Sequence, residues 1–67
     1  MSPLEFIYKN HAGETALRRV IPGRIWWGTT DYYPEAQWLL TAYDLDRQAE
    51  RTFALTSIIQ PPREIEE

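Results

Sequence analysis

Apolar and polar residues alternate with a period of two over most of this chain, the pattern of half-buried strands. In residues 4–10, LEFIYKN, Leu4, Phe6 and Tyr8 fall on one face and Glu5, Ile7 and Lys9 on the other. NHAGE follows, with Gly13 free to take a positive φ, so a hairpin turn is predicted. In the next run, ETALRRVIPGRIWWG, Leu17, Arg19 and Ile21 alternate with Arg18 and Val20. Pro22 cannot donate to a ladder and Gly23 follows it, which predicts a long second strand bent or bulged at that pair. GTTDYYPEAQ reads as a loop, with Pro34 forcing Tyr33 to be extended. WLLTAYD is a third strand, with Trp38, Leu40 and Ala42 on one face and Leu39, Thr41 and Tyr43 on the other. Apolar residues on both faces predict a central strand, with Trp38 in the core. DLDRQAE is a tight polar connection, one turn capped by Asp44 or Asp46. RTFALTSII is a fourth strand, and Ile58–Ile59 is expected to close the fold.

Several short strands with turns between them and no long amphipathic helix predict an all-β protein. Five strands with a strongly bent second one suit a small SH3-like barrel, which removes exposed edges. Residues 1–60 are expected to form this single domain, and residues 61–67, PPREIEE, an acidic and flexible C-terminal tail.

With 67 residues and no cysteine, the chain has a modest core and no disulfide to brace it. Nine aromatic residues supply much of the packing, each hiding roughly 150–250 Å² when buried. No apolar run approaches the roughly 18 residues of a membrane helix, and the N-terminus lacks the pattern of a signal peptide. A cytoplasmic protein with no membrane partner is expected. The formal charge is −3, carried largely by the tail; the body holds six basic and seven acidic residues. That is not the basic excess of bulk nucleic-acid binding, though a local arginine patch remains open.

His11 is the one imidazole and lies in a turn without an obvious partner, so no metal site and no cofactor are expected. No nucleophile–base pair, carboxylate dyad or phosphate loop stands out, and no enzymatic activity is expected. Arg51, beside Thr52 and Phe53, is the first ligand-contact candidate, because a guanidinium presents a planar fork of donors to phosphate or carboxylate. The competing reading is an ion pair with Asp44 or Asp46 across the hairpin. Arg18 and Arg19 leave opposite faces of their strand, so only one can share a patch with Arg51. Arg19, with Leu17 and Ile21, is expected to be the partly buried one; Arg24 and Arg47 are expected to be solvated. Of Trp26 and Trp27, one should point outward. An outward Trp27 near Tyr32 and Tyr33 would make an exposed aromatic cluster, a mark of protein interfaces.

Three segments together resemble the WYL domain. RRVIP (Arg18 to Pro22) is similar to its R-x-V-x-P strand, WLLTAYD (Trp38 to Asp44) to its W-Y-L-x-A-Y-D strand, and RTFALTSI (Arg51 to Ile58) to its R-x-F-x-L-x-x-I strand. The opening FIYKNHAGE is similar to I-x-Y-x-x-x-x-G-E, so the resemblance spans Phe6 to Ile58. It implies an Sm-like, SH3-type barrel of the kind found in bacterial transcription factors and defence-associated proteins. It also implies a basic, aromatic surface that senses ligands, nucleotides and nucleic acids among them. Leu39 stands where the family has its eponymous tyrosine, and Ala54 and Ser57 stand where arginines are usual. None of these is expected to be a core position.

The expected function is therefore a non-enzymatic, WYL-like regulatory module. It would hold an anionic ligand, such as a nucleotide or single-stranded nucleic acid, on Arg19, Trp38, Tyr43 and Arg51. The alternative is a protein–protein interaction module that uses Trp27, Tyr32 and Tyr33. That module would be a homo-oligomer, or a phage-type accessory inhibitor docked on a larger host complex. A third possibility is a folded remnant of a larger regulator without a site.

Overall fold

The computed structural model describes residues 3–60 and 62–65. The chain is all-β: β1 (Leu4–Lys9), β2 (Thr15–Gly28), β3 (Gln37–Asp44), β4 (Ala49–Ala54) and β5 (Arg63–Glu64), with one 3₁₀ turn at Leu55–Ser57. The strands form a single antiparallel sheet in the order β4-β3-β2-β1-β5. This sheet is open, with β4 and β5 at its edges, where a closed barrel was expected.

Three local expectations are met. Gly13 turns the first hairpin at φ 84°. The register of β2 against β3 shifts between Pro22 and Arg24, a bulge at the Pro-Gly pair. Asp44 Oδ1 accepts from the backbone N–H groups of Asp46 and Arg47, which caps the β3–β4 turn. Three others are corrected. The fourth strand starts earlier, at Ala49, and stops at Ala54, where the chain enters the 3₁₀ turn. Ile58 makes only an isolated bridge to Tyr8, with the Ile59 N–H donating to the Ile7 carbonyl. The fifth strand comes instead from the expected tail: Arg63 and Glu64 pair with Glu5 and Leu4. The Arg63 guanidinium binds the Glu5 carboxylate, which ties this short segment to β1. Residues 61, 66 and 67 of that tail lie outside the described residues.

Directly paired residues of antiparallel strands share a face. The registers therefore put Leu4, Phe6, Tyr8, Arg18, Val20, Leu40, Ala42, Arg51 and Phe53 on one face. The core is six buried side chains of this set: Phe6, Tyr8, Val20, Leu40, Ala42 and Phe53. Their packing shows how far the sheet curls. Strands β1 and β4 stand three places apart, roughly 14 Å in a flat sheet at about 4.8 Å per strand. Yet the ring centroids of Phe6 and Phe53 are 5.4 Å apart, and those of Tyr8 and Phe53 are 4.9 Å apart, all edge-to-face. Tyr8 Oη also accepts from the Ala54 N–H at 2.8 Å. The bulge in β2 is the hinge of this curl, because an inserted residue bends and twists its strand.

Candidate functional site

At one end of the core the two halves of the curled sheet leave a cleft of about 90 Å³. Its floor is Tyr8 and Phe53, and its walls are Arg18, Arg51, His11 and the loop tyrosines Tyr32 and Tyr33. Each side chain has a structural reason to be there. Arg18 pairs with Phe6 and Arg51 with Ala42, so both guanidiniums leave the core face. Thr30 Oγ1 accepts from the N–H groups of Tyr32 and Tyr33, which sets the turn that brings both tyrosines to the cleft. Tyr33 Oη meets Tyr8 Oη at 2.7 Å. Tyr32 stacks on His11 with ring centroids 4.2 Å apart and keeps its other side exposed.

The electrostatics of the cleft are cationic. Neither Arg18 nor Arg51 makes an ion pair among the described residues. Arg18 is half-buried and Arg51 exposed. Burial, reinforced by the Tyr33 hydroxyl, pushes the Tyr8 phenol well above its ordinary value, against the opposing pull of the Ala54 N–H and Arg18. Tyr8 thus stays neutral, its hydroxyl sharing a hydrogen bond with that of Tyr33. A second hollow of about 270 Å³ adjoins the cleft and shares Tyr32, Tyr33, Arg51 and Thr52 with it, but Asp31 and Glu50 line its far side. Among the described residues no cluster of His, Asp or Glu side chains could hold a metal ion.

Of the four residues expected to bind a ligand, only Arg51 lines this cleft. Arg19 lies on the outer face, where its guanidinium donates to Asp46 at 2.6 Å with half of its side chain exposed. That contact holds the Asp46 carboxyl below the usual carboxylate range. The ion pair weighed for Arg51 belongs to Arg19. Tyr43 is also on the outer face, exposed beside the bulge. Trp38 is on the core face but past the end of the core, and 53% exposed rather than buried.

The expected aromatic cluster divides in two. Trp27 packs edge-to-face on Trp38, with centroids 5.4 Å apart. Tyr32 and Tyr33 turn instead to His11 and Tyr8, so His11 does have a partner. Trp26 lies half-buried on the outer face, donating to Thr41 Oγ1, with the Arg24 guanidinium 5.6 Å from its ring centre.

Arg18 is the residue sequence reasoning passed over. It shares parity with Val20, which is fully buried, whereas Leu17 is 49% exposed. Leu17 and Ile21 pointed to the wrong face. The register of Arg18 against Phe6 could have found it.

No protein-family model, no curated protein and no solved structure matches this chain.

The positions that depart from the WYL pattern also behave differently than expected. Leu39 and Ala54 are fully buried, and they face each other across β3 and β4. An apolar pair fills the place where the pattern would put a tyrosine opposite an arginine. On the opposite, core-side face, Arg18 and Arg51 carry positive charge to the cleft.

Proposed function

We propose that this chain is a non-enzymatic binding module, similar to WYL domains, that holds the anionic group of a nucleotide or single-stranded nucleic acid between Arg18 and Arg51. The observation that carries the reading is that two guanidiniums line one cleft, neither with a carboxylate partner among the described residues. Charge-assisted hydrogen bonds to phosphate are the strongest contacts such a pair makes. Size favours a phosphate group over a whole nucleotide inside the cleft. At about 30 Å³ per water in the liquid, 90 Å³ is the room of about three waters. The rest of the ligand lies outside, with a base stacked on the open side of Tyr32, an interaction that tolerates any sequence. Asp31 and Glu50 repel the anionic end from the neighbouring hollow and so orient it.

The fold part of the proposal is an SH3-like barrel. Its supports are the bulged β2, the reach of Tyr8 to Ala54, and the way Ile58 and Ile59 meet β1 after the 3₁₀ turn.

Titration with inorganic phosphate, a nucleoside monophosphate and a short oligothymidylate, at several salt concentrations, tests the function. One phosphate neutralised between the two arginines predicts a log–log salt slope of about −0.7 for the oligonucleotide. Arg18→Gln or Arg51→Gln should each weaken binding about tenfold or more, since hydrogen bonds to charged groups contribute about 1.5–3 kcal/mol. Arg19→Gln should leave binding unchanged. Affinity that ignores salt, or that Arg19→Gln alone reduces, contradicts the assignment.

A further inference from the structure

Strand β2 is paired on both sides along only a small part of its length. Residues 15–20 pair with β1, and residues 20–28 pair with β3. From Arg24 to Gly28, the edge of β2 that faces away from β3 has no strand beside it among the described residues. The other free edges of the sheet are guarded by charge: β4 carries Glu50 and Arg51, and β5 is Arg63 and Glu64. Charged side chains on an edge discourage pairing with another chain. Beyond Arg24, the β2 edge reads Ile-Trp-Trp-Gly, without a charge, and is rich in residues that favour strands. Ile25 is 60% exposed and Trp27 58% exposed, and both stand on the core face beside exposed Trp38.

We propose that this edge pairs antiparallel with the same edge of a second copy of the chain, joining two sheets through β2. The strand is self-complementary. Residues that face each other across a ladder must share a face, so a two-fold axis through Trp26 sets Ile25 opposite Trp27 of the second copy and Arg24 opposite Gly28. No like charges meet in this register. On the core face, the two Trp27–Trp38 pairs and the two Ile25 side chains come together as one apolar strip. Two half-exposed indoles and one isoleucine per copy are less than the about 1,200–2,000 Å² that a stable interface buries. The backbone ladder supplies the remainder, and the dimer is a reversible one. This surface is separate from the arginine cleft and does not depend on it.

Sedimentation equilibrium of the full chain over a wide concentration range, together with amide hydrogen exchange at its two ends, tests the pairing. The expected result is a monomer–dimer equilibrium in which amides of residues 24–28 gain protection as concentration rises. Ile25→Lys should weaken dimerisation about tenfold or more by placing a charge on the edge, with an unchanged circular dichroism spectrum. Arg18→Gln and Arg51→Gln should not move it. A monomer at every concentration overturns the proposal. So does a dimer that survives Ile25→Lys without protection in residues 24–28, because its interface then lies elsewhere.

Discussion

Tyr8 ties three parts of this structure together. Its ring packs edge-to-face with Phe6 and Phe53, and its hydroxyl joins β4 through the Ala54 N–H and the β2–β3 loop through Tyr33. Tyr8→Phe keeps the ring and leaves a buried N–H without its acceptor, a loss of about 1–3 kcal/mol. Urea denaturation should show that loss, and the Ala54 amide should exchange faster. The same hydroxyl sets a pH limit. The folded phenol titrates above its ordinary value of 10.0, so the unfolded chain gives up this proton first. The contribution of Tyr8 is therefore complete below pH 10 and is lost as the pH rises beyond it. Melting temperatures measured on either side of pH 10 should fall on the alkaline side. Asp44 is buried too: one carboxylate oxygen caps the β3–β4 turn, while Oδ2 has no hydrogen-bond partner among the described residues.

At the scale of elements, the bulge in β2 decides which residues meet. Before it the core face carries even-numbered residues, Arg18 and Val20; after it the odd-numbered Ile25 and Trp27 take that face. Gly23 is required there, because a Cβ would lie 2.6 Å from the Thr41 carbonyl oxygen. Gly23→Ala should push β2 and β3 apart and cost about 1–3 kcal/mol, read as a lower denaturation midpoint. The bend itself was legible in the sequence, since Pro22 and Gly23 announce it. So were four strands and the turn at Gly13. The face assignment was not legible in β2, because Leu17 and Ile21 look like core residues yet lie on the outer face. Trp38 misled in the same way: alternation gives its face correctly, but not where along the strand the core ends. The two-residue β5 was hidden by the prolines before it and its charged residues, since its pairing depends on Glu5 meeting Arg63 rather than on apolar pattern. In the candidate site Arg51 was legible and Arg18 could have been, from its parity with Val20 and its register against Phe6, while Tyr32 and Tyr33 reach the cleft through loop geometry that a single sequence does not display.

The whole molecule sets a local positive field within an acidic chain. The formal charge is −3, yet the two arginines of the core face stand together at the cleft, while Arg19 and Arg63 are engaged by Asp46 and Glu5. At about 0.05–0.15 kcal/mol per residue, a domain of this size has only a few kcal/mol of stability to spare. Two like charges that line one cleft work against that margin to the extent that they repel, and under the proposed function an anion bound between them would offset it. Binding should therefore stabilise the fold as well as occupy it. Nitrogen-15 spectra of the arginine Nε–H groups during a phosphate titration test this most directly. The account predicts that the Arg18 and Arg51 signals move together to one saturation point while those of Arg19 and Arg63 stay in place. Uniform small shifts at all the arginines, or movement at Arg19 with Arg18 and Arg51 still, would contradict it.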